Sequence, residues 1–181
     1  NPANKIVRPD YGPDYYAAIA YNQLPAAHLP TAIGWINNWN YANDIPTTPW
    51  KGAFSLPRTM SVKKIGDEWV LLQHPITGLK TLRTRPLEMK NTGVTGTRTL
   101  PRTSRQFEML LNYEPSATNS GIRLATGNNS YFEIGYHAVK QTVYIDRSKT
   151  KHTSFNKNFS WLSRFEIPVV LNNKKIKLHI F

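Results

Sequence analysis

The sequence contains no cysteine, and this absence excludes several kinds of chemistry. Without thiols the chain can form no disulfide framework, no thiolate nucleophile and no cysteine metal site. The lack of cysteine does not fix the cellular compartment. With 181 residues the chain has room for one large domain or two small ones, and either can bury a core without covalent staples.

Long apolar runs are also missing. No stretch approaches the roughly 20 apolar residues that a membrane-spanning helix requires. The first residues, "NPANKIVRPDYG", lack the basic-then-apolar order of a signal peptide. We therefore expect a soluble chain with no membrane span.

Acidic residues are scarce, since 11 Asp and Glu face 23 Lys and Arg and the formal net charge is +12. This excess of Lys and Arg suggests nucleic acid as a candidate partner, because cationic side chains neutralise phosphates. The basic residues are scattered along the chain, however, and gather into no single run or helix face. The pattern favours a solvated basic surface and no nucleic-acid site.

The five histidines are far apart in the sequence, and none has a carboxylate or a second histidine at ligand spacing. A metal site needs several such ligands close together. We therefore expect no metal ion and no other cofactor.

Short apolar or alternating runs, separated by Pro, Gly and Asn clusters, predict consecutive antiparallel strands in the first 75 residues. The four runs are "YYAAIAY", "TAIGW", "AFSLPRTMSVKK" and "EWVLLQHP". Four such strands make one meander sheet, which is also the size of one propeller blade.

A connector rich in Thr, Arg, Gly and Pro follows over residues 76–100, with at most a short helical turn near Leu87. Alternation then resumes in strands at about ten-residue spacing, which indicates a β-sandwich. The last residues, "KKIKLHIF", stop within a strand, so we expect the natural domain to continue past Phe181. The predicted fold class is all-β: one four-stranded antiparallel, blade-like sheet followed by a β-sandwich.

Three sequence segments carry a family resemblance: "RPDYGPDYYAAIAYNQLP", "AIGWINNWNYANDIPTTPWKGAFSLPRTMSV" and "EWVLLQHP". Because these segments occur in this order, the chain resembles the later part of the family 32 glycoside hydrolases, the invertases, inulinases and levanases. The resemblance covers residues 6–75 strongly and the remainder weakly. It implies a five-bladed catalytic propeller, with residues 1–78 as its last blade and residues 79–181 as a linker and a truncated carboxy-terminal sandwich.

The resemblance implies retaining hydrolysis of β-fructosyl linkages, in which one carboxylate attacks the anomeric carbon and another carboxyl protonates the leaving oxygen. The family's three acidic motifs, Asn-Asp-Pro-Asn-Gly, Arg-Asp-Pro and Glu-Cys, are absent from this sequence. We therefore expect a carboxy-terminal fragment of a fructan-hydrolysing enzyme that carries no catalytic residue and is inactive alone. The implied partner is a fructan or sucrose-type carbohydrate, and the implied location is extracellular or periplasmic.

The same resemblance implies two substrate-binding residues. Asp10 would lie at the pocket floor near the acid/base carboxyl, where it would hydrogen-bond sugar hydroxyls or tune the pKa of that carboxyl by like-charge proximity. Trp35 would stack its indole on the fructosyl unit. The alternatives are a turn-capping carboxylate for Asp10 and a blade-core tryptophan for Trp35. Asp14 is expected to be structural. Three further tryptophans are expected in the blade core: Trp39, Trp50 and Trp69.

A second function class stays open at this point. The sandwich could act as a stand-alone carbohydrate-binding or adhesion module. In that case it would hold a polysaccharide through exposed tyrosines, namely Tyr131, Tyr136 and Tyr144.

Overall fold

The computed structural model describes residues 8–101, 104, 106–116, 118–127, 129–169, 171 and 173–181. Antiparallel strands dominate these residues, and the helical segments are short. The strands are β1 (Tyr16–Ala20), β2 (Thr31–Ile36), β3 (Ala53–Phe54), β4 (Arg58–Ile65), β5 (Glu68–Pro75), β6 (Met109–Tyr113), β7 (Ser120–Gly127), β8 (Ser130–His137), β9 (Thr142–Asp146), β10 (Arg164–Pro168) and β11 (Ile176–Ile180). The helical segments are α1 (Lys157–Trp161) and two 3-10 turns, Ala42–Asp44 and Thr77–Leu82.

The chain divides into two compact units, and each unit is assembled from two separate segments. Unit 1 comprises Asn1–Ile76 and Pro115–Val170, and unit 2 comprises Thr77–Glu114 and Leu171–Phe181. Unit 1 therefore holds β1–β5 together with β7–β10, whereas unit 2 holds β6 and β11.

The first sheet of unit 1 has the strand order β1-β2-β4-β5, with β3 pairing β2 beside this path. The predicted run "AFSLPRTMSVKK" is split between β3 and β4. Ser55 still pairs with β2, because its N–H donates to the Gly34 carbonyl at 2.8 Å and its hydroxyl accepts from the Gly34 N–H at 3.0 Å. Pro57, which has no N–H for a ladder, separates the two strands. The blade-like antiparallel sheet is confirmed, with this split and a register shift between Tyr16 and Ile19 in the β1–β2 pair.

The second sheet of unit 1 has the order β10-β9-β8-β7. Tyr136 and Tyr144 on this sheet are only 3% and 7% exposed, so the prediction that they are exposed is wrong. Tyr144 is buried because its ring lies on Gly135, where a Cβ would come within 2.5 Å of Cζ. Its hydroxyl donates to Glu133 Oε1 at 2.5 Å, and the Arg164 guanidinium lies 4.0 Å from its ring centroid.

Unit 2 contains the antiparallel pair β6–β11, which runs in register from Tyr113 opposite Ile176 to Met109 opposite Ile180. The connector, which was predicted to hold at most a short helical turn near Leu87, has its 3-10 turn at Thr77–Leu82 and no helix at Leu87. Arg85, two residues before Leu87, has a φ of 42°, which lies outside the right-handed helical region.

The three tryptophans expected in a blade core are exposed in this chain. Trp39, Trp50 and Trp69 have exposed fractions of 62%, 69% and 66%, so their assignment to the core is wrong here. An antiparallel sheet buries an aromatic side chain only where a second layer covers that face. The all-β fold class itself is confirmed. Within the described ranges, no helix is long and apolar enough to cross a membrane.

Candidate functional site

Trp35 lies in an aromatic cluster at one end of the β1–β2 pair, formed with Tyr16 and Trp39. Tyr16 is the cross-strand partner of Trp35. The three rings meet edge to face, with centroid separations of 5.2 Å for Trp35–Trp39, 6.1 Å for Tyr16–Trp39 and 6.5 Å for Tyr16–Trp35. Tyr16 and Trp39 are 51% and 62% exposed, so the aromatic cluster opens to solvent.

The indole of Trp35 rests against the backbone at Gly52. Its Nε1 donates a long hydrogen bond of 3.4 Å to the Lys51 carbonyl. Gly52 has a φ of +80°, which favours glycine, and a Cβ at this position would lie 2.5 Å from Nε1. A side chain at position 52 would therefore displace the indole ring. The absence of a side chain at Gly52 allows Trp35 to pack directly on the backbone there.

Asp10 uses both carboxylate oxygens within the chain. Oδ1 accepts from the Gly12 N–H at 2.7 Å, and Oδ2 accepts from Arg58 Nη1 at 2.7 Å. The hydrogen bond from the Gly12 N–H is the turn cap that was given above as the alternative role of Asp10. Arg58 in turn lies over the Tyr15 ring, 4.4 Å from its centroid. Asp10 is thus anchored between the turn and β4.

The partners of Asp10 and those of Trp35 lie on opposite faces of β2. Tyr15 packs on Gly34, where a Cβ would come within 2.5 Å of its ring, whereas Tyr16 packs on Trp35. Successive side chains of a strand point to opposite faces. The two predicted site residues therefore belong to two different side-chain networks. Sequence reasoning missed Arg58, because no local pattern pairs it with a residue 48 positions away.

A second polar group, the Arg147 network, consists of the buried Tyr41 and the partly buried Asp14 and Arg147. Arg147 donates from Nη1 to Asp14 Oδ2 at 2.6 Å and from Nη2 to the Tyr41 hydroxyl oxygen at 3.1 Å. The Tyr41 hydroxyl donates to Asp14 Oδ1. Burial, followed by this hydrogen bond to Asp14, raises the pKa of Tyr41 to about 12. Asp14 thus makes structural contacts, in the role expected for it.

Arg147 is enclosed by aromatic rings as well as by its polar partners. Its guanidinium carbon lies 3.8 Å from the centroid of Phe159 and 5.9 Å from that of Phe165. The side chains of Arg147 and Asp14 are only 13% and 18% exposed. The ion pair is therefore screened little by solvent, unlike a surface pair.

Two family models match the chain over almost its whole length. The first, described as the glycosyl hydrolases family 32 N-terminal domain, matches residues 1–75. The second, described as glycosyl hydrolases family 32 C terminal, matches residues 78–181. The chain belongs to glycosyl hydrolase family 32, as the resemblance indicated.

Relatives of this chain are named as levanases and exo-inulinases. The chain is 31% identical over 188 aligned residues to a levanase of Bacillus subtilis (strain 168), a match that covers 100% of this chain and 28% of the levanase. It is 33% identical to an extracellular exo-inulinase of Aspergillus awamori, covering 83% of this chain and 29% of the inulinase. The chain thus spans less than a third of the length of either relative.

The fold agrees with a solved structure of the same family. The crystal structure of the exo-inulinase from Aspergillus awamori superposes with a TM-score of 0.75 at 31% identity, covering 95% of this chain and 34% of the inulinase chain. A fructofuranosidase from Schwanniomyces occidentalis, 17% identical over 94% of this chain, supports the fold alone with a TM-score of 0.54.

Proposed function

We propose that this chain is the carboxy-terminal part of a secreted fructan-hydrolysing glycosidase. The observation that carries the proposal is the alignment with a levanase, which covers 100% of this chain but only 28% of the levanase. The order of the two family models along the chain, N-terminal domain first, supports the same arrangement. Secretion is supported by the description of the Aspergillus relative as extracellular.

The domain division that we propose is residues 1–78 as the last blade of the catalytic propeller and residues 79–181 as the linker and part of the sandwich. The end of one family model at residue 75 and the start of the other at residue 78 support a boundary in this interval. The blade segment contains the whole sheet β1–β5.

We assign the chemistry of retaining hydrolysis to carboxylates outside this chain. Such an enzyme requires a nucleophile and an acid/base carboxyl placed about 5 Å apart on either side of the glycosidic bond. Both carboxylates at the start of the blade are committed to other contacts: Asp10 to Gly12 and Arg58, Asp14 to Tyr41 and Arg147. The chain therefore contributes pocket wall and scaffold, and is inactive alone.

Trp35 is the proposed sugar-stacking residue. Indole binds the apolar face of a furanose ring through the area it covers and its polarisable face. The open aromatic cluster supports this role, because Tyr16 and Trp39 enlarge the apolar surface around Trp35 without burying it. Asp10 is the second proposed binding residue. Its carboxylate oxygens have further lone pairs, which can accept from a sugar hydroxyl while Arg58 holds the group in place.

The stand-alone binding module is the weaker candidate. It depends on three exposed tyrosines, of which Tyr136 and Tyr144 are buried. We therefore retain only the hydrolase proposal.

The proposal is tested by assaying the complete enzyme and the 181-residue chain side by side on levan, inulin and sucrose. The complete enzyme should release fructose with retention of anomeric configuration, and the chain should release none above the buffer blank. If the complete enzyme releases no fructose from any of the three, or the purified chain turns over alone, the proposal is wrong.

A further inference from the structure

The Arg147 network joins residues far apart in the sequence within unit 1. Arg147 follows β9 of the second sheet, whereas Asp14 precedes β1 of the blade sheet, 133 positions earlier. Tyr41, which both residues contact, lies in the loop after β2 and is 2% exposed. One guanidinium therefore ties the entry of β1 to the loop that leaves β2.

That loop, the Asn37–Asp44 segment, is held from both sides. On the blade side, Asn38 Nδ2 donates to the Pro13 carbonyl at 2.9 Å. On the other side, Asn156 Nδ2 donates to Asp44 Oδ2 at 2.5 Å, and Asn158 Nδ2 donates to the Asn40 carbonyl at 3.3 Å. The segment before α1 and the first turn of α1 thus supply one side, and the residues before β1 supply the other.

Aromatic packing also holds the Asn37–Asp44 segment, at Tyr41. The Tyr41 ring meets Phe155 and Phe159 edge to face, with centroids 6.4 Å and 5.2 Å away. Arg147 lies over the Phe159 ring as well, at 3.8 Å. The position of Tyr41 is therefore fixed at its hydroxyl by hydrogen bonds to Asp14 and Arg147 and at its ring by two phenylalanines.

Trp39 shares this segment and follows its geometry. Asn38 Oδ1 accepts from the Asn40 N–H at 2.9 Å, and the Asn38 carbonyl accepts from the Tyr41 N–H at 3.0 Å. These two bonds close a tight turn over residues 38–41, so a shift of Tyr41 must move Trp39. Trp39 is the residue that meets Trp35 at 5.2 Å in the aromatic cluster.

We propose that Arg147 is a positioning residue for the aromatic cluster: through Asp14 and Tyr41 it sets the orientation of Trp39 against Trp35, and thereby the surface offered to a fructosyl unit. The part that concerns the sugar rests on the function proposed above. The part that concerns ring geometry does not. A charged anchor suits this task because a largely enclosed guanidinium with two oxygen partners has a single good geometry.

The test uses Arg147→Met in the complete enzyme, with two readouts. The first is the Trp–Trp exciton couplet in the far-ultraviolet circular dichroism spectrum, which depends on the mutual orientation of the two indoles and needs no substrate. We expect the couplet to weaken in the variant, with Arg147→Lys intermediate because an ammonium cannot reach both oxygens as the guanidinium does. The second readout is kcat/KM on a fructo-oligosaccharide, expected to fall about 10- to 100-fold and mainly through a higher KM.

Arg123→Met is the matched control. It removes the arginine of β7, in the second sheet of unit 1, whose ion pair to Glu133 at 2.6 Å lies outside the Arg147 network. Its couplet and kcat/KM should equal those of the parent. If Arg147→Met does not fold, Tyr41→Phe keeps the ring and both charges while removing the shared hydroxyl, and it should weaken the couplet in the same direction.

The outcomes separate the two proposals. A folded Arg147→Met or Tyr41→Phe enzyme with an unchanged couplet and unchanged kcat/KM overturns the positioning role and leaves Arg147 a stabilising residue. A weakened couplet with kcat/KM unchanged overturns the substrate part of the inference. A parent enzyme that releases no fructose overturns the proposed function, while the couplet still decides whether Arg147 orients the rings.

Discussion

Glu108 and His179 are joined by a 2.7 Å hydrogen bond between Oε1 and Nε2, beside the β6–β11 pair of unit 2. Arg83 contacts the same carboxylate with two donors, Nε to Oε2 and Nη2 to Oε1, each at 2.5 Å. One glutamate therefore fastens the connector after Thr77–Leu82 to the strand pair. The hydrogen bond from Arg83 is the largest cause that lowers the pKa of Glu108, from its usual 4.5 to about 2.

This lowered pKa predicts how stability depends on pH. A carboxyl whose pKa is lower when folded stabilises the protein above its unfolded pKa, and the contribution is lost as pH falls through the folded pKa. The difference in unfolding free energy between the parent and Glu108→Gln should therefore shrink as pH falls from about 4.5 to about 2. Urea unfolding at a series of pH values measures it.

Glu88→Gln is the control for this experiment, because its partner Lys90 forms an exposed ion pair with it. Such pairs contribute little, so stability should change by less than about 1 kcal/mol. If the Glu108→Gln difference does not vary between about pH 4.5 and 2, the Arg83–Glu108–His179 cluster does not carry the stabilisation assigned to it.

Gly135→Ala should destabilise unit 1. An added methyl would lie 2.5 Å from the Tyr144 ring, which fills the space above Gly135, and overpacking of this kind costs about 1–3 kcal/mol. Gly93→Ala is the matched control, because nothing lies within 4 Å of its added methyl and its change should stay within about 0.5 kcal/mol. Urea midpoints of the two variants check this, and equal midpoints would contradict the packing argument.

Trp35→Ala, made in the complete enzyme, should lower kcat/KM about 5- to 150-fold, if the lost contact is valued at about 1–3 kcal/mol by analogy with base–aromatic stacking. Stability should fall less than the roughly 3–5 kcal/mol of a core tryptophan, because the aromatic cluster is open to solvent. Trp69→Ala, also an exposed tryptophan of the blade sheet, is the control and should leave kcat/KM unchanged. A large loss of melting temperature with near-normal kcat/KM would move Trp35 from the site to the core.

Asp10→Asn should separate the two contacts of this carboxylate. The amide oxygen can still accept from the Gly12 N–H, whereas the ion pair to Arg58 is lost, at a cost of about 1 kcal/mol in partly exposed surroundings. Asp67→Asn, an exposed position in the β4–β5 turn, is the control. A double-mutant cycle with Arg58→Met should show non-additive stabilities, and strict additivity would mean that the 2.7 Å contact contributes nothing.

The strands of the blade sheet could be predicted from the sequence because each is a short apolar or alternating run, and Pro, Gly and Asn clusters separate the runs. The split at Pro57 and the 3-10 turn at Thr77–Leu82 escaped prediction. The first depends on the pairing of Ser55 with Gly34, which lies 21 positions away. The second involves a short turn of the kind that periodicity does not detect.

The candidate site was predictable only in part. The phrases around Asp10 and Trp35 mark both residues, but nothing local predicts that their partners lie on opposite faces of β2. Tyr144 illustrates the same limit, because an alternating strand pattern shows which side chains share a face but not that Gly135 leaves room for a ring. Arg147 looked like one basic residue among many, since its partner Asp14 is distant in the sequence.

Unit 1 is assembled from two chain segments, Asn1–Ile76 and Pro115–Val170, which are synthesised at different times. Asp14 leaves the ribosome 133 residues before Arg147, which at cellular rates of translation is a wait on the order of ten seconds. During this interval Tyr41 has neither its arginine nor its phenylalanines, and the loop after β2 is without one of its two sides. The nascent blade therefore exposes apolar surface until the second sheet emerges, which makes it a substrate for chaperones and a starting point for aggregation.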